Sequence, residues 1–99
     1  MGEILSKKNK KLNGVKSIKY DKKCNYPTNF FKISDNIILK SVKIKKNSIV
    51  IKYSGQSYGM INENTTGIYP VLNFNSKNNY KTGNIWYSIP NRYILKIDN

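Results

Sequence analysis

Acid–base or nucleophilic chemistry has few places to reside in these 99 residues. There is no histidine, so the commonest general base and a common metal ligand are both missing. The five acids, Glu3, Asp21, Asp35, Glu63 and Asp98, are scattered with no close pair. Cys24 is the only cysteine, so it forms no internal disulfide and belongs to no paired metal motif. Its neighbours Lys22 and Lys23 would favour a thiolate, but nothing nearby in sequence would act as its base. Gly55 and Gly59 fit turns better than a phosphate-cradling loop. The expectation is a non-catalytic protein that needs no cofactor and no metal.

What the chain does have is positive charge. Lysine and arginine number 18 against 5 acids, a net charge of +13. Such an excess draws a protein toward acidic surfaces: nucleic acid, anionic lipid or an acidic protein. The first 52 residues hold 14 lysines and 3 acids, so the charge is mainly N-terminal. Arg92 is the sole arginine. Lysine lacks the planar fork that reads bases or carboxylates in bidentate fashion, so this composition favours diffuse steering. Eight tyrosines, three phenylalanines and one tryptophan form the second resource. Tyr80, Trp86, Tyr87 and Tyr93 cluster late, and Tyr53, Tyr58 and Tyr69 flank predicted turns. Exposed rings beside lysines would stack on bases or line a peptide groove, while about half would simply plug a core.

The elements that must carry these residues are read from periodicity. Residues 1–25 show no sustained period and read as a basic arm, flexible alone or pinned onto a partner. Residues 26–40 suggest a short helix or strand, with a turn at Ser34-Asp35-Asn36. From residue 41 the period is two: Val42 and Ile44 alternate with Lys43 and Lys45, and Ile49, Ile51 and Tyr53 with Val50 and Lys52. Strands are also expected at Tyr58–Ile61, Ile68–Phe74, Tyr80–Thr82, Ile85–Tyr87 and Tyr93–Ile97. Pro70 removes a ladder donor and calls for an edge or a bulge. Ser88–Arg92 reads as a tight 3-10 corner. The expected fold is mainly β: a small closed or partly closed barrel of about five antiparallel strands over residues 41–99, behind an irregular basic extension over 1–40. No apolar run approaches the ~18 residues of a membrane span. Met1-Gly2-Glu3-Ile4-Leu5-Ser6 matches the N-myristoylation pattern by residue type, and a secretory signal is not evident.

One family fits further. Gly67-Ile68-Tyr69-Pro70-Val71-Leu72-Asn73-Phe74 resembles the G-I-x-Y-P-V-x-V-R-F strand of photosystem I reaction centre subunit IV, an SH3-like barrel. Asn79-Tyr80 and Gly83-Asn84 are similar to that family's N-Y-x-G and N-T-N-N-F segments, and Ser88–Ile97 to its last corner and strand. Ser48–Ile51 and Tyr58–Ile61 would then match its first strand and V-G-T-V turn. The chain departs from the family in two ways. The Tyr-Pro-Val to Phe spacing is one residue shorter, which shifts the pleat unless a bulge absorbs it. Asn73 stands where the family has an arginine of its basic docking surface.

The resemblance implies a peripheral, cofactor-free subunit of a large membrane complex, on the stromal face of the plastid thylakoid. Its partners would be the other subunits and a soluble acidic carrier, ferredoxin or flavodoxin. Lys43, Lys45, Lys52, Lys77, Lys81 and Arg92 are the expected partner-binding charges. The rival reading is a small cytoplasmic, organellar or phage module with its lysine arm laid on nucleic-acid phosphates. A third is a peptide-binding adaptor using a tyrosine-rich face.

Overall fold

Ile49-Val50-Ile51 and Phe30-Phe31 place large apolar residues side by side. Successive strand residues face opposite ways, so such runs bury fully only where both faces of a sheet are covered. A computed structural model describes residues 13–53 and 64–97 and shows both faces covered. The strands are β1 (Asn13–Gly14), β2 (Phe30–Ile33), β3 (Ile37–Ile38), β4 (Val42–Ile44), β5 (Ile49–Lys52), β6 (Thr65–Ser76), β7 (Asn79–Thr82), β8 (Tyr87–Pro90) and β9 (Ile94–Lys96). A 3-10 turn, Asn91–Tyr93, joins β8 to β9.

The main sheet runs β9-β2-β5-β6-β7, and β8 also pairs with β6. All of its pairings are antiparallel. Because β7 and β8 both lie along β6, they act as one interrupted strand. This is the barrel-like, five-stranded antiparallel arrangement expected, with its 3-10 corner before the last strand. A second small sheet, β1-β4-β3, lies beside it, and its β1–β4 pair is parallel.

Several assignments differ from the expectation. Phe30–Ile33, placed by sequence in the extension, is an interior strand between β9 and β5. It occupies the first-strand place beside β9, and Ile49–Lys52 comes second. Val42–Ile44 belongs to the small sheet. Ser88–Pro90 is strand, so the 3-10 turn starts only at Asn91. Ile85 and Trp86 fall between strands. The match at residues 1–6 and the expected strand at Tyr58–Ile61 lie outside the described residues.

Two cores lie on opposite faces of the sheet. One gathers Ile33, Ile37, Ile44, Val50, Ile68 and Ile89, with the small sheet supplying Ile37 and Ile44. The other holds Tyr26, Phe30, Ile49 and Val71, covered by Ile18, Tyr20, Phe74 and Tyr80. Its rings form a run of neighbours: Tyr20–Tyr26 at 5.9 Å, Tyr26–Phe74 at 5.5 Å and Phe30–Tyr80 at 4.8 Å between centroids. The described part of the N-terminal segment is thus a layer of the fold.

That segment is also stitched into the ladder. Val50 pairs with Pro70, and the next rung would join Ile49 to Val71. Ile18 takes that rung instead. Its N–H donates to the Val71 carbonyl at 2.8 Å, and its carbonyl accepts from Ile49 N–H at 3.0 Å. Tyr20 N–H donates to the carbonyl of Asn47 at 2.7 Å. Asn47 has φ of 70°, a left-handed conformation that asparagine tolerates in a turn.

Pro70 lies at a local edge, the gap between β7 and β8, and not at a bulge. Its carbonyl accepts from Gly83 N–H at 2.9 Å. The N and C=O of one antiparallel residue face the same side, so the hydrogen-free proline nitrogen faces the break between β7 and β8. The register of β6 against β7 shifts between Val71 and Asn73 and again between Phe74 and Ser76. The first shift lets Val71 and Phe74 both pack into the second core while Leu72 and Asn73 both face outward.

Candidate functional site

The outward turn of Leu72 leaves a concave surface beside it. Leu72 is 44% exposed although it sits in the longest strand. The segment after β1 crosses in front of it, held by Val15 N–H to the Lys43 carbonyl and by the Ile18 bridge. Between them lies an open groove of about 560 Å³. Gly14, Val15, Lys16, Ser17 and Lys19 form one wall, and Lys45 and Leu72 the rest. It continues past Gly14, Val15 and Lys16 into a second stretch of about 330 Å³ bounded by Pro70, Gly83, Asn84, Ile85 and Tyr87. Lys19 and Lys45 line only the first stretch and Ile85, 64% exposed, only the second, while Lys16 and Leu72 run along both.

The six charges expected from sequence fall in three places. Lys45 lines the groove, and Lys43, beside it on β4, borders a shallow hollow with Asn36, Ile37 and Ile38. Lys77 and Lys81 are exposed on the β6–β7 hairpin, Lys81 opposite Asn73. Lys52 and Arg92 lie toward the 3-10 corner. The Lys52 ammonium stands 4.7 Å from the Phe31 ring centre, in a cleft shared with Thr66, Asn91 and Lys96. The Arg92 guanidinium stacks on the Tyr93 ring at 4.8 Å and donates to its hydroxyl at 3.3 Å.

Lys16, Lys19 and Lys96 were missed as site residues. The first two were set aside with the arm, although Ile18-Lys19-Tyr20 repeats the alternation read elsewhere as strand. Lys32, also missed, holds its ammonium 4.0 Å from the Tyr20 ring centre.

The described acids do little to offset this charge. Asp21 accepts from Lys23 N–H at 2.9 Å, and Asp35 accepts from Asn36 N–H at 2.8 Å. Both carboxylates close local turns. Cys24 is exposed, with its sulfur 3.8 Å from Asp21 Oδ2. Burial raises the Tyr26 phenol above the ordinary tyrosine value. Its oxygen accepts from Asp21 N–H at 3.0 Å.

The aromatic rings are largely engaged with one another. Trp86 stacks on Tyr53, centroids 4.9 Å apart and planes 2° from parallel, and Tyr69 meets Tyr53 edge-on at 5.5 Å. Tyr87 and Tyr93 pack against the first core. Tyr58 lies outside the described residues.

Among the described residues, no three His, Cys, Asp or Glu side chains gather where they could hold a metal ion. None of their helices is long and apolar enough to cross a membrane. No protein-family model, curated protein or solved structure matches the chain.

Proposed function

We propose that this protein is a non-catalytic docking module that seats an acidic protein partner on its basic face. One observation carries the reading. The described surface bears thirteen lysines and one arginine against only Asp21 and Asp35, and three of the lysines converge on one groove. Unpaired like charge facing a concavity raises the rate of encounter with an oppositely charged partner, and salt screens the gain.

An acidic protein suits this surface better than nucleic acid does. Lysines offer point charges with no bidentate reading of bases. The rings that would stack on bases are committed elsewhere, Trp86 to Tyr53 and Tyr80 to Phe30. The resemblance of residues 48–97 to photosystem I subunit IV names the first probe to try, a soluble ferredoxin or flavodoxin, with a peripheral place on a photosynthetic membrane complex as the setting. Lys43, Lys45, Lys52, Lys77, Lys81 and Arg92 are the steering charges in this proposal.

The test is a side-by-side binding comparison at moderate ionic strength. Purified protein is mixed with an acidic ferredoxin, and separately with single-stranded RNA and duplex DNA. Saturable binding to the ferredoxin, with weaker binding to both nucleic acids, is expected. Tight nucleic-acid binding and none to the acidic protein would replace this reading with the phosphate-binding one.

A further inference from the structure

We infer that the groove between residues 14–19 and the outward face of β6 binds an extended acidic segment of the partner that ends in an apolar side chain. This rests on the docking reading above and gives it a defined seat. The two stretches of the groove differ in chemistry. Lys19 and Lys45 line only the first and would hold carboxylates there. Ile85 leaves apolar surface uncovered only in the second, and Lys16 and Leu72 run along both. The first stretch alone falls within the ~300–1,000 Å³ typical of ligand clefts. Ser17, which lines the first stretch, has a buried hydroxyl with no partner among the described residues. Buried polar groups are normally satisfied, and a bound carboxylate would offer this one an acceptor.

The occupant follows from charge complementarity. The chain's own first twelve residues carry four lysines and one glutamate, so they are poorly matched to a cationic groove. A nucleic-acid backbone would satisfy the lysines but leave Leu72 and Ile85 facing phosphates. An acidic segment with a terminal leucine or phenylalanine satisfies both stretches.

The test uses the full chain, uniformly labelled with nitrogen-15, titrated with a synthetic peptide of glutamates and aspartates followed by leucine and phenylalanine. Amide shifts should concentrate at residues 14–19, Lys45, Leu72 and 84–87. Replacing the apolar pair of the peptide by serines should weaken binding about tenfold. Combined Lys16→Glu, Lys19→Glu and Lys45→Glu should weaken it about thirtyfold or more. Gly14 supplies a variant that changes no charge. A β-carbon added there meets nothing within 4 Å, so Gly14→Trp should fold and fill the groove.

Shifts scattered over the surface would overturn the inference. So would unchanged binding by a folded Gly14→Trp variant, or an oligonucleotide that binds the same residues more tightly. Salt-dependent binding of a whole acidic protein that is indifferent to the groove variants would leave the docking reading standing and remove the groove. Peptide binding in the groove without binding of any acidic protein would do the reverse.

Discussion

At Gly67 an added β-carbon would come within 3.0 Å of the Trp86 ring and 3.1 Å of Tyr53 Cβ. The absent side chain is what lets the sole tryptophan lie flat on Tyr53. Gly67→Ala should therefore destabilise the fold by about 1–3 kcal/mol through overpacking, and shift the Trp86 emission. A variant with wild-type stability and emission would mean that this stack has room to give. Tyr26 offers a second handle at this scale. Burial raises its pKa above 10.0, so the folded state holds the phenolic proton more tightly than the unfolded chain does. The contribution is fully present below the unfolded value and is lost as pH rises through the folded one. Unfolding measured from neutral pH to above that value should show an alkaline loss that is shallower in Tyr26→Phe. At neutral pH the same substitution should cost about 0.5–1.5 kcal/mol, because Asp21 N–H loses its acceptor. Equal alkaline slopes for the two proteins would contradict the assigned cause.

Asn79–Thr82, with one face wet, follows the turn signals that mark it, and Ile49–Lys52 was legible through its β-branched run although Ile49 and Val50 are both buried. Phe30–Ile33 was legible only as a short helix or strand, because Phe-Phe-Lys-Ile has neither a clean period of two nor a helical one. Both its faces are covered, and part of the cover, Ile18 and Tyr20, comes from a segment whose lysines make it read as a tail. The same disguise hid Lys16 and Lys19, so the groove was half legible: Lys45 was named and its opposite wall was not. The outward turn of Leu72 depends on a local register shift that residue types hint at but do not locate. The N-terminal layer makes a clear prediction. Removing residues 1–25 should uncover Phe30, Ile49 and Val71 and lower the Tm by more than about 10 °C, with new binding of a hydrophobic dye. A solvated tail would leave the Tm unchanged. Ile18→Ala, which keeps both backbone bonds, should cost only about 1–2 kcal/mol because the side chain is half-buried.

At the scale of the whole molecule, charge and fold are nearly independent. The core uses aliphatic and aromatic residues with Ser48 as its buried polar member, and the lysines are left on the outside. A net charge of +13 on a 99-residue chain opposes compaction slightly and sets association strongly. The composition made that much plain from the start, whereas which charges face one another depends on how residues 13–20 cross the sheet. The most direct test of the docking account is the affinity for an acidic ferredoxin measured at two ionic strengths, ~50 mM and ~500 mM, where the screening length falls from ~14 Å to ~4 Å. The account predicts binding at low salt that weakens at least tenfold at high salt, chiefly through a slower association rate. Binding that is absent at low salt, or unchanged between the two, would contradict it.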